Sequence, residues 1–359
     1  MLNNELTANI QEEKASANKQ IAISFCLPVY NVKPFLQDCI VSIIDACDSD
    51  LKYEILCMDD GSTDGSYEYL LELKERFSAL VVLKNEKNSG ASYTRNRLVR
   101  EAKGKYIWFV DPDDVMCKDV AALFYQKIEE LQCDVLLGNF IRIDENSDLK
   151  CREAINIDFT VPPSKKRVFY PISDTGTAMC ALWAGIFKKS FLIDNNLTMN
   201  EAMIVGEDTL FYYEFSLKTD NIFKWEIPCY LYRQRKSSVM HAHSEERNKK
   251  YYISMREMLR AYEYHLEIKD YKDLSELLNK IHHSKQNVST CLAALYDKKY
   301  IKEQLAILKK EGVYPYKFRK DAFKAPQNFL FKLLVFLLPI KPFFWLYHYL
   351  YVFKGKKRL

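Results

Sequence analysis

The sequence contains no C-x-x-C pair, although it has ten cysteines in 359 residues. Zinc ribbons and thioredoxin-type redox sites are built on such pairs, so this absence argues against both classes. Several cysteines, for example Cys26 and Cys57, lie within apolar runs, where a free cysteine packs as a small hydrophobic side chain. We therefore expect reduced cysteines and a reducing compartment.

The N-terminus lacks the apolar run of a secretory signal. Residues 1–20 are polar and mixed in charge, which predicts a disordered tail and a cytoplasmic location. A strong net charge is also lacking, because the formal value is only +4. So small an excess neither favours nor excludes an anionic partner, and the distribution of charge matters more than its sum. We expect no nucleic-acid partner.

Short apolar runs alternate with segments of helical periodicity over residues 21–140. This alternation predicts an α/β fold with a mostly parallel sheet and helices on both faces. Such sheets bind ligands at the carboxyl ends of their strands. The predicted strands are residues 21–27, 53–59, 79–85, 106–111 and 134–140.

The alternation ends near residue 150, and the rest of the chain divides by composition. We expect a catalytic domain over 21–243, with a nucleotide-binding half (21–140) and an acceptor half (141–243). A helical region over 244–325 follows, which could bind the acceptor or form a dimer, so the oligomeric state stays open. An apolar segment that ends in basic residues occupies 326–359.

The apolar segment is a candidate for membrane association. Residues 329–353 approach the ~20 apolar residues that a spanning helix needs, but Pro339 and Pro342 interrupt them. Its tryptophan and tyrosines, and the basic residues after it, are typical of a membrane interface. We expect it to lie on the cytoplasmic leaflet; a helix packed under the domain and a transmembrane span are the alternatives.

Polar and acidic residues follow four predicted strands, at 28–31, 59–64, 84–90 and 111–114. The carboxyl ends of parallel strands meet at one edge of a sheet, so these residues should form one site. In "DDGSTDGS", Ser62, Thr63 or Asp64 could cap the next helix. That leaves Asp59 and Asp60, whose carboxylates can accept hydrogen bonds from a nucleoside.

Two further motifs predict contacts with an anion and a cation. Gly90 permits close backbone approach at a helix start, where free N–H groups attract an anion, and Arg95 lies about one turn further on. In "FVDPDD", Asp111 and Asp113 can reach one hard cation such as Mg²⁺ or Mn²⁺. We expect Asp114 to cap the following helix.

The second half carries three candidates. His241 and His243 are two apart, so on a strand they would share a face and one could approach a metal or phosphate. Zinc is not expected, because no Cys or acid accompanies them at ligand spacing. Asp208 follows Glu207 in "GED". Trp183 could stack on a sugar, although core packing is the favoured interpretation.

These motifs together resemble glycosyltransferase family 2, whose members have a GT-A fold. The resemblance covers roughly residues 21–240. It rests on six motifs in the family's order: "PVYN", "DDGSTDGS", "NSGASYTRN", "FVDPDD", "GEDTLF" and "YRQRKSSVMHAH". It implies an inverting transfer from a nucleotide-diphosphate sugar, expected to be a UDP-sugar, with Mn²⁺ or Mg²⁺. The acceptor would be a saccharide, expected to be lipid-linked or part of a cell-surface polysaccharide, met on the inner face of the cell membrane.

The resemblance also implies a role for each matching residue. Asp208 would be the catalytic base, with Glu207 as the alternative. Asp113 would bind the metal directly, and Asp111 would meet the metal or the ribose. The nucleotide and its diphosphate would be held by Pro28, Tyr30, Asp59, Asp60, Arg95, Arg233, Arg235 and a histidine, His241 or His243.

Other functions remain open at this point. "DPDDV" also fits the nucleophile motif of haloacid dehalogenase-like phosphatases, with Asp111 attacking phosphorus, but that motif normally ends the first strand. A catalytically inactive sugar-nucleotide-binding module is a second alternative. A sugar-1-phosphate nucleotidyltransferase would need a Gly-rich basic loop after the first strand, which "LPVYNVKPFL" does not provide.

Overall fold

The computed structural model describes residues 20–147, 157–158, 160–165, 181–235, 244–315, 344–346 and 348–349. The chain divides into two compact units. The first contains residues up to 201 together with 211–238, and the second contains 202–210 and the residues from 239 onward. The predicted tail over 1–20 lies almost wholly outside the described residues, as does most of the predicted membrane segment.

One sheet organises the described part of the first unit. Its strands are β1 (Ile23–Val29), β2 (Tyr53–Asp59), β3 (Leu80–Lys84), β4 (Tyr106–Phe109), β5 (Val115–Met116), β6 (Val135–Asp144), β7 (Ser164–Lys165), β8 (Gly185–Lys188) and β9 (Ile222–Gln234). They follow the order β3-β2-β1-β4-β8-β6-β9-β5, and β7 pairs with β9.

The sheet has a parallel half and a mixed half. β3, β2, β1 and β4 run parallel, as the alternating sequence pattern predicted. β8 then enters antiparallel to both β4 and β6, and β9 runs parallel to β6. β5 pairs antiparallel with β9, which brings the segment after β4 back onto the sheet. The predicted strands are therefore confirmed, but the sequence did not indicate the insertion of β8.

Helices cover both faces of this sheet, as predicted. Neighbouring residues of one strand point to opposite faces: Phe25 and Leu27 belong to one core cluster, and Cys26 between them belongs to the other. The helices are α1 (Leu36–Ala46), α2 (Ser66–Arg76), α3 (Ala91–Glu101), α4 (Val120–Leu131), α5 (Lys189–Asp194) and α6 (Glu207–Lys218). The first cluster includes residues of α1, α2 and α4, and the second includes residues of α3, α5 and α6.

In the second unit, the described residues of the region 244–325 form three helices, as the sequence predicted. Its helices begin at side-chain caps: Ser244, Asp273 and Asp297 each accept a hydrogen bond from a backbone N–H of the first turn. In the described part of the chain, no helix is both long enough and apolar enough to cross a membrane. The helices are α7 (Glu245–Glu267), α8 (Leu274–Ala293) and α9 (Lys298–Lys310).

Candidate functional site

The loops after β1 and β2 are joined by hydrogen bonds at the carboxyl edge of the sheet. The Asn31 N–H donates to Ser62 Oγ at 3.0 Å, and the Thr63 N–H donates to Asn31 Oδ1 at 2.8 Å. Pro28 lies near the end of β1, and the Tyr30 side chain beyond it is 48% exposed. Tyr30 therefore presents an accessible aromatic ring at the strand end where the sequence predicted a nucleoside.

Asp59 shapes the loop that follows β2. It is fully buried, and its carboxylate accepts hydrogen bonds from the backbone N–H groups of Gly61 at 3.1 Å and Ser62 at 3.3 Å. Gly61 has φ +77°, and a Cβ there would lie 3.0 Å from Asn88 N. Only glycine adopts this conformation without strain, so the "DDG" motif forms a tight turn with its acids held inside.

The Asp60 carboxylate links the end of β2 to the loop that follows β3. Its carboxylate accepts from Asn85 Nδ2 at 2.6 Å, from the Ser89 N–H at 2.9 Å and from the Gly90 N–H at 2.8 Å. Gly90 is the N-cap of α3. The predicted meeting of the second and third strand ends is therefore present, and Asp60 holds the N-terminus of α3 beside β2.

Arg95 joins α3 to the end of β4. Its Nη2 lies 2.8 Å from Asp111 Oδ1, and both side chains are largely buried. The backbone N–H of Asp111 donates to the Tyr230 hydroxyl oxygen at 2.9 Å, so β9 also supports this turn. Arg95 was predicted to face an anion, and in the described structure it pairs with the carboxylate of Asp111.

Asp113 pairs with Arg235. The Arg235 Nη2 lies 2.5 Å from Asp113 Oδ2, and its guanidinium stacks on the Phe35 ring at 5.2 Å. Burial, and then the neighbouring Asp111 carboxylate, raise the pKa of Asp113 against the opposing effect of Arg235. The Asp111 and Asp113 carboxylates therefore lie close enough to repel each other, with Arg235 as the opposing positive charge on Asp113.

The prediction that Asp114 caps a helix was wrong. The next helix, α4, begins only at Val120, because β5 comes first. Asp114 is buried, and its Oδ1 accepts the backbone N–H of Arg233 at 2.7 Å. Burial and the nearby Asp113 and Asp111 carboxylates raise its pKa well above the usual range. Asp114 therefore fastens the acidic turn to β9.

Arg233 lies under the site and binds backbone. It is 4% exposed, and its guanidinium donates to the carbonyl oxygens of Asp113 at 3.0 Å, Glu145 at 2.9 Å and Ser147 at 2.7 Å. These bonds occupy Nε and Nη1, whereas Nη2 lies 3.8 Å from Asp38 Oδ2, and the predicted contact with a diphosphate stays a prediction. Arg235 also lies beside Asp113, and the hydrogen bonds that the structure describes include none from Arg235 to a backbone carbonyl group.

This difference gives a stability prediction. Arg233→Lys should lower the free energy of unfolding by about 2–4 kcal/mol, because a lysine cannot reach all three carbonyl groups and leaves buried acceptors unpaired. Arg235→Lys keeps a positive charge opposite Asp113 and should cost about 1 kcal/mol or less. Urea unfolding of both variants measures the difference; equal losses would contradict the assignment.

Trp183 makes the packing contacts that the sequence analysis favoured. Its ring stacks on Tyr230 at 4.5 Å and on Tyr232 at 5.5 Å, with interplanar angles of 17° and 7°. Its carbonyl oxygen accepts from Trp108 Nε1 at 2.8 Å. The aromatic stack supports Tyr230, and through it the backbone of Asp111.

Glu207 and Asp208 begin α6, in the part of the chain that groups with the second unit. Both side chains are half-buried. Asp208 Oδ1 accepts the Thr209 N–H at 2.7 Å. Gly206 before them has φ +76°, and a Cβ there would lie 2.6 Å from Met258 Cε. The remaining predicted residues, His241 and His243, lie outside the described residues.

The donor atoms of the acidic turn fit a hard divalent cation, since carboxylate oxygens are what Mg²⁺ and Mn²⁺ prefer. Within the described ranges, however, no group of three or more His, Cys, Asp or Glu side chains is placed to hold a metal ion. Asp111 and Asp113 therefore supply at most two ligands between them. Sites of this kind are commonly completed by water and substrate phosphates.

A half-parallel α/β sheet, with acids at its carboxyl edge and a helix N-terminus held beside them, is the architecture of a GT-A-type domain. Residues 24–191 match the model of glycosyl transferase family 2. The chain therefore contains a domain that matches this family, as its motifs predicted, and the match argues against the phosphatase alternative.

Named relatives agree with this assignment. The chain is 30% identical over 204 residues to the poly(ribitol-phosphate) beta-glucosyltransferase of Bacillus spizizenii, which covers 56% of this chain and 30% of the relative. It is 27% identical over 229 residues to the glycosyltransferase GlyA of Streptococcus pneumoniae, and this match covers 62% of this chain and 32% of GlyA. The chain thus spans about a third of the length of these relatives.

Solved structures share the fold. S. aureus TarS superposes with a TM-score of 0.57 at 18% identity, covering 91% of this chain and 55% of TarS. A structure of TarS residues 1–349 in complex with UDP-GlcNAc gives a TM-score of 0.52 at 19% identity, and the superposition covers 83% of this chain and 94% of that one. At this level of identity the likeness shows a common fold.

Proposed function

We propose that this protein is an inverting glycosyltransferase that moves a sugar from a UDP-sugar to a hydroxyl group of a saccharide. The observation that carries the proposal is the meeting of Asp60, the N-terminus of α3, Asp111 and Asp113 at one edge of the sheet. A nucleoside diphosphate needs polar acceptors for its base and ribose and positive partners for its phosphates. This edge offers both.

The nucleoside would lie against the β1 and β2 ends. Tyr30 offers an exposed ring for stacking, and Pro28 borders the same strand end. Asp59 and Asp60 are the acids nearest this position. Because their oxygens already accept backbone hydrogen bonds, base recognition would use the remaining lone pairs of these held carboxylates.

The diphosphate would lie over the acidic turn. Asp113, with Asp111, would hold Mg²⁺ or Mn²⁺, which would neutralise charge on the departing diphosphate. Arg235 carries positive charge at the same turn and could exchange its contact with Asp113 for one with phosphate. Arg95 keeps Asp111 in place. Arg233 is assigned to positioning the turn and not to the phosphate.

Asp208 would act as general base. In a single displacement at the anomeric carbon, one carboxylate takes the proton of the acceptor hydroxyl as the new bond forms. The departing UDP carries away the bonding electrons of the sugar–phosphate bond, and the configuration inverts. Glu207, on the same turn of α6, is the alternative base.

We further propose a cell-surface glycopolymer as the acceptor, lipid-linked and met at the inner face of the cell membrane. Two relatives support this class by their names: the poly(ribitol-phosphate) beta-glucosyltransferase, and the putative teichuronic acid biosynthesis glycosyltransferase TuaG of Bacillus subtilis. The peripheral membrane contact rests on the apolar, basic-ended sequence of residues 326–359.

The test is UDP release from a panel of UDP-sugars, with and without Mn²⁺ or Mg²⁺. We expect one sugar to give metal-dependent turnover, and Asp113→Asn to remove it. An inactive binding module would bind UDP, but it would release no UDP from any UDP-sugar, even when a glycopolymer acceptor is added. If the protein neither binds nor turns over any nucleotide sugar, the proposed function is refuted.

A further inference from the structure

Both polar atoms of the Asn96 side chain form hydrogen bonds with the segment Met199–Glu201, which is about a hundred residues away in sequence. Its Nδ2 donates to the Met199 carbonyl oxygen at 2.9 Å and to Glu201 Oε1 at 3.0 Å. Its Oδ1 accepts the Met199 N–H at 2.8 Å. The amide group thus pairs with both backbone polar groups of Met199, as a neighbouring strand would, and Asn96 is only 7% exposed.

The helix that carries Asn96 is the one that connects the proposed donor-binding residues. Its N-cap, Gly90, is held by Asp60, and Arg95, the residue before Asn96, pairs with Asp111. Consecutive residues of α3 therefore hold two different parts of the first unit. Arg95 holds the acidic turn after β4, and Asn96 holds the segment Met199–Glu201.

The segment that Asn96 holds is continuous with the proposed base. Glu201 is the last residue of its stretch in the first unit, and the chain then continues through Gly206 to Glu207 and Asp208. A segment fixed by two hydrogen bonds at Met199 and one at Glu201 leaves fewer conformations available to the residues that follow. The side chain of a catalytic base must be held within a narrow range of positions to act.

We propose that Asn96 is a positioning residue for the transfer: it couples the donor-binding helix α3 to the chain segment that leads to Asp208. The inference rests on the proposed function and adds a residue outside its binding and catalytic groups. Asn96 contacts neither the acidic turn nor the loop held by Asp60 in the hydrogen bonds that the structure describes. Its loss should therefore act on turnover more than on donor binding.

The first test compares Asn96→Ala with Asn195→Ala, using the UDP-sugar that the wild type turns over. Asn195 is a nearby asparagine whose Nδ2 donates to the Phe191 carbonyl oxygen, so it controls for the loss of an amide-to-backbone bond. We expect Asn96→Ala to lower kcat by about 10- to 100-fold with KM for the donor within about twofold. Asn195→Ala should leave both constants near the wild-type values.

Amide hydrogen exchange gives a readout that does not depend on turnover. Asn96→Ala should accelerate exchange at the Met199 N–H and in residues 199–208. The Ser89 and Gly90 amides, which Asp60 holds, should exchange as in the wild type. Unchanged exchange at Met199 would overturn the proposed clamp. A general acceleration, with kcat and donor affinity lost together, would show mere destabilisation.

Glu201 supplies a second pair of variants in case Asn96→Ala does not fold. Glu201→Gln keeps the Oε1 acceptor and should retain wild-type kcat, whereas Glu201→Ala removes one of the three bonds and should lower kcat about two- to fivefold. Equal kcat in the two variants would contradict the inference. If the wild type releases UDP from no sugar, the proposed function fails; an active wild type with unaffected variants refutes the positioning role alone.

Discussion

Asp208→Asn is expected to lower turnover by about 10²- to 10⁴-fold and to leave the affinity for UDP within about twofold. Asparagine is nearly the same size as aspartate, and its Oδ1 can still accept the Thr209 N–H. The fold at the start of α6 should therefore survive. A carboxamide cannot take a proton from the acceptor hydroxyl, so only the chemical step is lost. Single-turnover kinetics beside UDP titration calorimetry separates the two effects.

Glu207→Gln is the matched control for this prediction. It changes the neighbouring acid in the same turn of α6 and should reduce turnover far less. If Glu207→Gln abolished turnover and Asp208→Asn did not, the base would be Glu207. If neither substitution affected turnover, no acid of this motif would act as base, and the proposed mechanism would be contradicted.

The second large effect is expected at Asp60. Asp60→Asn replaces an oxygen acceptor with an NH₂ group that faces three donors, from Asn85, Ser89 and Gly90. At least one of these buried or part-buried donors must lose its partner, so we expect the free energy of unfolding to fall by about 2–4 kcal/mol. The 85–90 loop and the start of α3 should move, and UDP affinity should fall by about 100-fold or more.

Asp64→Asn is the control for Asp60→Asn. Asp64 lies on the same loop, and its carboxylate also accepts hydrogen bonds, from the Lys33 N–H and from Ser66. Burial alone would raise the pKa of Asp64, but these hydrogen bonds together outweigh it and lower that pKa. Because Asp64 is exposed, water can replace a lost acceptor, and the cost should be about 1 kcal/mol with little change in UDP affinity. Calorimetry and urea unfolding of both variants give the comparison; similar losses of UDP affinity would contradict the special role of Asp60.

The parallel half of the fold could be predicted because its signals are local. β1, β2 and β4 are buried apolar runs and β3 is a partly buried one, and each is followed by a helix or a polar turn within a few residues. The mixed half depends on pairing between distant segments. β8 has four residues and enters between β4 and β6, and β5 has two. Neither is long enough to show a period.

The same contrast holds at the site. The strand-end rule predicted that Asp60, Gly90 and Asp111 would lie on one edge, because it follows from the direction of parallel strands. It could not predict that Arg233 binds carbonyl groups or that Tyr230 supports Asp111, since those bonds join residues about a hundred positions apart. The cap expected of Asp114 failed for a local reason: a two-residue strand intervenes before the helix.

The central claim is that this acidic strand edge binds a nucleoside diphosphate together with a divalent cation. Titration calorimetry of UDP, with and without Mn²⁺, tests it most directly on the wild type and on Asp113→Asn. The account predicts that Mn²⁺ tightens UDP binding to the wild type by about tenfold or more and that Asp113→Asn abolishes this gain. No measurable binding of UDP to the wild type, or an equal gain from Mn²⁺ in Asp113→Asn, would contradict it.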